Sequence, residues 1–588
     1  MEEQVSEESK STFHEIRKDK ILLVIFIAVI LLGITVRFIY PTEPGLWNDD
    51  MSTLPTGLLW FYPHEYYPGL SAEGEPALGA FMFGAGCMLS GEDFSAVTKI
   101  KPMWYPDRPM LFGKELIKAE DYCRISSYFF GLLLFLALIL LSLSLLDQYS
   151  ALFSISFFAF YSHILQLSRW IHEDIVEYTF IAFGLLFLWK FFSSEKYGAK
   201  ELFLFIFSMI FFALAFGTKI PAAAFLLFAI AMLLIKYKRE VGYILKRLEI
   251  WLGFKISDKL KETTINLRRL ALMIFTGLTV YILTLLLPFE FNLRNILLVI
   301  QKYRSVDVMQ GSAFGSLSLN TNFWGAIHNF LLSLNIMDII LLLVSIFVLV
   351  MLFLLKKKEV NEWFITSLVV FFIAVLAIFP SMVLLRVFIA FFWGIPLIMG
   401  LVISKSAYSP LNLLNLKEKT KRLVLILILL SYISVASYTA FLNAPYFEYR
   451  NPLICDEQEC LISYSFFADS QLGVFLQGIL KDNSTTFESF AVYGMVYYYI
   501  RPEEGQEMLF LRESLRQQIG RMPTLRERIM YFKPLGRTIQ YIPFDPNKDY
   551  NDEFIMELKH KYVPNYKVIL KHGFEAYWIY DLQNLTKL

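Results

Sequence analysis

Residues 21–40 read ILLVIFIAVILLGITVRFIY, and residues 41–50, which follow, read PTEPGLWNDD. A mostly apolar run of about 20 residues is long enough to cross roughly 30 Å of hydrocarbon as a helix. The first stretch therefore reads as a membrane span. No small-residue cleavage site follows it, so it is a retained first span rather than a removed signal. The second stretch places Asp49 and Asp50 at the end of that span, where carboxylates are costly unless solvated or paired. Together the two stretches predict an α-helical polytopic membrane protein with functional groups at one rim.

The remainder of the chain repeats the first pattern. Of 588 residues, 56% are hydrophobic and 18% charged, whereas soluble domains sit near 45–50% apolar and about 25% charged. Apolar runs at 21–40, 125–146, 150–167, 174–192, 201–217, 220–236, 270–288, 331–355, 363–380, 383–403 and 423–441 predict about eleven spans. Basic residues near span ends mark cytosolic loops. Residues 236–269 hold ten Lys/Arg against four acids, Lys356-Lys357-Lys358 forms a block, and Lys405, Lys417, Lys419, Lys421 and Arg422 face Glu418 alone. All fall on one side if residues 1–20, with Arg17, Lys18 and Lys20, are a cytosolic segment. The basic loop 237–269 then reads as a connector lying on the lipid surface. The net charge of +1 gives no basic field for nucleic acid.

This topology makes residues 21–441 a membrane domain. Outside it are the loops 41–124 and 289–330, short turns near 168–174 and at Gly217-Thr218-Lys219, and a tail, 442–588. Val492–Tyr497 and Tyr566–Leu570 predict strands in the tail and 507–519 a helix, giving an extracytoplasmic α/β domain. Asn483-Ser484-Thr485 and Asn584-Leu585-Thr586 are glycosylation acceptor triplets. The four cysteines do not describe a disulfide framework, although Cys455 and Cys460 could close a local pair. A loop as long as 41–124 without spacer composition is more often functional than idle. Its Trp47, Trp60, Tyr62, Tyr66, Tyr67, Trp104 and Tyr105 fit an interfacial aromatic belt or sugar stacking.

Ionisable residues far apart in sequence collect on the same outer face: Asp49, Asp50, Arg124, Arg169, Glu173, Asp174, Lys219 and Arg386. Acids and bases bounded by apolar helices suit a substrate with a lipid tail in the bilayer and an anionic head against the cations. Arg and Lys meet phosphate oxygens through charge-assisted bonds, and a nearby carboxylate can act as general base on a hydroxyl. Simpler roles fit the same residues. Asp49 and Asp50 could cap a helix starting near Met51. Arg124, Lys219 and Arg386 could be interface anchors, and Arg169 could form a local ion pair with Glu173 and Asp174. His163 and His172 read as interfacial polar residues rather than metal ligands.

Trp47-Asn48-Asp49-Asp50 resembles the acidic motif in the first outer loop of the GT-C glycosyltransferases, which use lipid-phosphate-linked sugars. Glu75-Pro76-Ala77-Leu78-Gly79 is similar to the His/Lys-Pro-Pro-Leu-Gly segment of their protein O-mannosyltransferase and aminoarabinose transferase branch. Asp121 to Ser126 resembles that branch's entry to the second span, Arg169 to Asp174 its second acidic motif, and Gly217-Thr218-Lys219-Ile220-Pro221 its Thr-Lys-x-Pro turn. Arg386 to Pro396 resembles a late-span motif. In order and sidedness these pieces cover nearly the whole chain.

The resemblance implies transfer, with inversion, of a sugar from a polyprenyl- or dolichyl-phosphate donor. The acceptor would be a hydroxyl of a protein, lipid or glycan outside the cytosol. Asp49 would be the base and Asp50 would orient it or hold the acceptor. Arg124, Lys219 and Arg386 would bind the donor phosphate. Glu173 and Asp174, with Arg169 and Glu75, would hold sugar or acceptor, and an acid pair of this kind can also position a divalent cation. Glu75 stands where the family has His or Lys, and Ala77 replaces its second Pro, which removes one phosphate contact. Two other functions fit less of the sequence. A transporter or flippase would place ionisable, broken helices near the midplane in paired halves, and a non-catalytic scaffold would keep the fold without the activity.

Overall fold

The computed structural model describes residues 12–39, 50–70, 76–99, 113–194, 198–237, 260–301, 417–443, 485–489, 537–543, 553–569 and 575–581, with a few isolated positions between them. Among these, six helices are long and apolar enough to cross a membrane: Lys20–Phe38, Lys118–Leu145, Asp174–Ser193, Ala199–Phe216, Leu270–Phe289 and Glu418–Phe441. The chain is an integral membrane protein by this measure. The spans expected at 331–355, 363–380 and 383–403, and the basic loop between the described helices, lie outside the described residues apart from isolated positions.

A short helix, α1 (Thr12–Lys18), leads into α2 (Lys20–Phe38). Asp19 caps α2 by accepting from the amides of Ile21 and Leu22, which satisfies donors that a helix start leaves unpaired. One face of α2, with Leu22, Ile25, Val29 and Val36, is buried, while Ile21, Val24, Ile27 and Leu31 are exposed. Exposed apolar side chains at helical spacing are what a lipid-facing surface requires.

The described part of the first outer loop is largely helical. It contains α3 (Asp50–Leu59) and α4 (Leu78–Met88), which meet backbone to backbone at Gly57 and Gly84. A Cβ on either would run into the main chain of the other helix, Ala80 O from Gly57 and Gly57 C from Gly84. The helix of the second span, α5 (Gly113–Leu145), begins well before the expected start at 125. Its 33 residues reach about 50 Å, so its first turns stand outside the hydrocarbon. A disulfide between Cys87 and Cys123 ties α4 to α5. Nothing in the cysteine spacing marks that pair, and Cys455 and Cys460 lie outside the described residues.

The third expected span, 150–167, is instead two helices, α6 (Gln148–Phe160) and α7 (Ser162–Leu167), separated by an extended Tyr161 (ψ 113°). The break has a partner. Arg37, at the end of α2, donates to the carbonyls of Phe158 and Ala159 at 3.3 Å each, and its guanidinium lies 4.4 Å from the Phe135 ring centre. A buried arginine thus binds carbonyls near the end of α6, where a helix leaves such groups without partners.

Next come α8 (Asp174–Ser193), α9 (Ala199–Phe216), a 3-10 turn (Ile220–Ala223), α10 (Ala224–Lys236), α11 (Leu260–Leu286) and α12 (Glu418–Asn443). α8 is the central helix: 78% of its apolar window is buried, against 39% for α2 and 28% for Leu270–Phe289. It packs on both α5 and α9.

In the tail, four strands, β1 (Thr485–Ser489), β2 (Arg537–Pro543), β3 (Tyr566–Ile569) and β4 (Glu575–Asp581), form one sheet in the order β1-β2-β4-β3. β1 and β2 are parallel and the other pairs antiparallel. The same tail holds the helix α13 (Glu553–Lys561). β3 falls on the strand predicted at 566–570; the strand at 492–497 and most of the helix at 507–519 lie outside the described residues.

Candidate active site

The central helix begins at the chemistry. Asp174 is the first residue of α8 and Glu173 its N-cap, with no side-chain cap of its own. Carboxylates near a helix N-terminus are favoured by the positive end of the helix dipole. Asp174 is fully buried, and its Oδ1 lies 2.5 Å from Nζ of Lys219, itself 4% exposed. Such a pair is tolerated only because each charge is the other's compensation. His172 adds a third group. Its Nδ1 is 3.2 Å from Asp174 Oδ2 and 3.3 Å from the Asp174 amide nitrogen. These are exclusive uses: a proton on Nδ1 donates to the carboxylate, and without one the nitrogen accepts from the amide. His172 is therefore a buried member of the cluster, 3% exposed, rather than the interfacial residue expected.

The first outer loop is locked onto this corner from two directions. From α3, Thr53 Oγ1 donates to Glu173 Oε1 at 2.7 Å. Thr53 comes three residues, about one helical turn, after Asp50. From α4, the Leu78 amide donates to the carbonyl of Gly217 at 3.1 Å, holding the turn that carries Lys219. Gly79 leaves the room for this: a Cβ there would sit 2.7 Å from Glu173 Cβ and Cγ and from Thr218 Cγ2. The Pro-x-Leu-Gly segment thus has a physical reason, since only hydrogen fits where α4 crosses α8 and the lysine turn.

Arg124 and Arg169 form the neighbouring part. Arg124, 1% exposed, pairs with Glu120 Oε1 at 2.5 Å and donates through Nη1 to the Arg169 carbonyl at 2.9 Å. Ser127 Oγ donates to the Trp170 carbonyl at 2.7 Å. α5 therefore grips the backbone leading into α8. At the rim, Tyr67 OH donates to the Pro288 carbonyl and accepts from the Ala77 amide, and burial pushes its phenol pKa up. His64 Nε2 lies 3.1 Å from Glu290 Oε1.

Of the residues singled out by sequence, Asp174 and Lys219 meet directly, Glu173 adjoins Asp174 in the chain, and Arg124 contacts Arg169 through the latter's carbonyl. Asp50 opens the helix that touches Glu173. Asp49, Glu75 and Arg386 lie outside the described residues. Among the described residues no group of three or more His, Cys, Asp or Glu side chains could hold a metal ion, and the Lys219 ammonium already occupies Asp174 Oδ1. Thr53 and Arg37 were missed, His172 reads from sequence as an interfacial residue, and Gly79 stands in the Pro-x-Leu-Gly segment without a role of its own. Only an arginine inside the first span was a signal that could have been read, because an intramembrane charge marks an interaction.

No protein-family description and no curated protein matches the chain. Solved structures do. ArnT from Cupriavidus metallidurans, bound to undecaprenyl phosphate, matches at 9% identity with a TM-score of 0.50, over 95% of this chain and 97% of that one. The archaeal oligosaccharyltransferase AglB from Archaeoglobus fulgidus, in complex with an inhibitory peptide and a dolichol-phosphate, matches at 11% identity and a TM-score of 0.44, over 89% of this chain and 70% of that one. The likeness to ArnT, a GT-C glycosyltransferase, is one of fold: the chain has a GT-C-like membrane architecture.

Proposed function

We propose that the protein is a membrane glycosyltransferase that moves a sugar from a polyprenyl- or dolichyl-phosphate donor to an acceptor hydroxyl of a protein, lipid or glycan on the non-cytosolic face. The observation that carries the reading is the buried Asp174–Lys219 pair, held against the first outer loop through Thr53 and Leu78. A purely structural ion pair needs no such convergence of elements from across the chain. The Cys87–Cys123 disulfide, one residue before Arg124, supports the sidedness, because disulfides persist in oxidising compartments.

In this reading Asp49 takes the acceptor's proton as its oxygen attacks the anomeric carbon. The bond from that carbon to the phosphate oxygen breaks on the opposite face, inverting the centre, and the lipid phosphate leaves with the electron pair. Asp50 orients the base. Lys219 and Arg386 stabilise the departing phosphate. Arg124 serves the same end by fixing the Arg169 backbone beside it. Glu173, Asp174, Arg169 and Glu75 set the sugar and acceptor. The described carboxylates do not fit a divalent ion, so no step is assigned to one.

The test is reconstitution of the full chain in liposomes with radiolabelled polyprenyl-phosphate sugars and mixed protein, lipid and glycan acceptors. Wild type transfers label and Asp49→Asn does not. Equal transfer by both removes the proposed base. Failure of wild type with every donor, together with label crossing the bilayer unaltered, replaces the enzyme with a transporter.

A further inference from the structure

A second feature lies at the other end of the same helices. Between α2 and α5 runs a cavity of about 830 Å³ lined by Phe26, Ile30, Ile34, Phe135, Ile139 and Leu143, with Thr12, Ser144 and Lys190 at one end. Its open side is the lipid-facing surface, where Leu136 and Leu140 of α5 are 46% and 38% exposed. The lining of α5 spans Leu132 to Leu143, about 16 Å of helix, which matches the hydrocarbon depth of one leaflet, roughly half of 30 Å. The groove thus has the length of a single acyl chain and no polar group along its floor.

Its polar end is specific in charge. Lys190 lies in the last turn of α8, about 24 Å along the helix from Asp174, and so on the opposite face from the candidate active site. It is exposed and forms no ion pair among the described residues. Trp189 Nε1 donates to the Ser144 carbonyl at 2.9 Å and Thr12 Oγ1 to the Leu146 carbonyl at 2.8 Å, so the mouth is built on fixed backbone. Two acids at this end, Asp147 and Asp19, are engaged. Asp147 accepts from the Tyr149 and Ser150 amides and the Ser150 hydroxyl, and Asp19 caps α2 and pairs with Arg422.

We propose that this groove binds one acyl chain of an anionic phospholipid from the leaflet at the basic face, with the headgroup phosphate on Lys190. The occupant follows from the two ends: an apolar slot one leaflet deep, and a cation at interface height where anionic lipid headgroups lie. It is distinct from the donor lipid, whose phosphate belongs at the other face.

The experiment is native mass spectrometry of the full chain released from nanodiscs of phosphatidylcholine with a minor fraction of phosphatidylglycerol. Wild type retains phosphatidylglycerol in preference to phosphatidylcholine. Lys190→Glu turns an attraction worth about 1 kcal/mol per basic residue into a repulsion of similar size, about 2 kcal/mol in all, lowering that retention roughly thirtyfold. Leu140→Trp fills the slot and lowers retention of both lipids. Equal retention of the two lipids by wild type and Lys190→Glu overturns the proposal. So does displacement of the bound lipid by added polyprenyl phosphate, which would give the groove to the donor's tail. A chain that transfers no sugar yet retains phosphatidylglycerol leaves this inference standing.

Discussion

Two buried lysine–carboxylate pairs sit at opposite ends of the α8–α10 bundle, and they are built differently. At the basic end, Lys236 pairs with Glu201 Oε1 at 2.7 Å, which also accepts from Tyr237 OH at 2.7 Å. The Lys236 ammonium donates to the carbonyls of Phe191 and Ser194 and lies over the Phe191 ring. Those carbonyls belong to the C-terminal end of α8, where a cation is favoured. All these groups come from consecutive helices and the turns between them. The outer pair, Asp174–Lys219, instead draws in α3, α4, His172 and the lysine turn. The inner pair staples neighbours; the outer one gathers ionisable groups that local packing does not require.

Removing both charges of each pair tests that difference most strongly. Replacing a whole buried ion pair with neutral residues often leaves stability nearly unchanged. Asp174→Asn with Lys219→Met is expected to fold yet lose roughly 10²–10³-fold in transfer rate. Glu201→Gln with Lys236→Met is expected to keep transfer within about twofold, well inside the spread of ordinary surface changes. Initial rates in reconstituted liposomes decide it. Equal losses in both double variants would make the outer pair another staple.

Breaking one partner measures the staple itself. Glu201→Gln leaves the Lys236 ammonium buried without its carboxylate, which should cost about 3–5 kcal/mol, read from denaturant unfolding followed by tryptophan fluorescence. A shift below about 1 kcal/mol would mean that the helix carbonyls carry the lysine alone. Packing at the outer corner gives a smaller effect. Gly79→Ala forces a methyl to within 2.7 Å of Glu173 and Thr218, an overpacking cost of about 1–3 kcal/mol, with slower transfer. Gly198→Ala, whose Cβ would meet nothing within 4 Å, is the control and should stay within about 0.5 kcal/mol.

The contrast also marks what could be read from the chain alone. Apolar runs announced the spans because a hydrocarbon solvent permits little else, and α9, α10 and α12 begin within a few residues of the expected starts. The order of α8 and the lysine turn placed Asp174 and Lys219 on one face, and the structure brings them into contact. The division of 150–167 was not legible, because the group that binds the carbonyls beside it, Arg37, lies in another helix. Nor was the Cys87–Cys123 bridge, since the residues are distant in sequence and meet only when α4 packs on α5. In the sequence Glu201 and Lys236 are simply charges at the ends of apolar runs. That they are buried depends on how three helices meet, which no periodicity encodes.

The smallest expected effect lies at the rim, where the outer loop meets the turn after α11. His64 pairs with Glu290 across 3.1 Å, with side-chain exposures of 21% and 35%. Partial burial disfavours the imidazolium, but the hydrogen bond to Glu290, the Tyr62 and Leu59 carbonyls and the carboxylate's charge outweigh it and raise the pKa above 6.5. A raised histidine contributes stability that is fully present below the unfolded value of about 6.5 and is lost as pH rises through the folded one. An exposed pair of this kind is worth roughly 0.2–1 kcal/mol. Unfolding midpoints should therefore fall slightly as pH passes upward through that window, and His64→Gln should flatten the slope without altering the midpoint at high pH. The same slope in the variant would move the titration to another group. A flat wild-type profile would leave Tyr67, through Pro288, as the contact that holds this part of the rim.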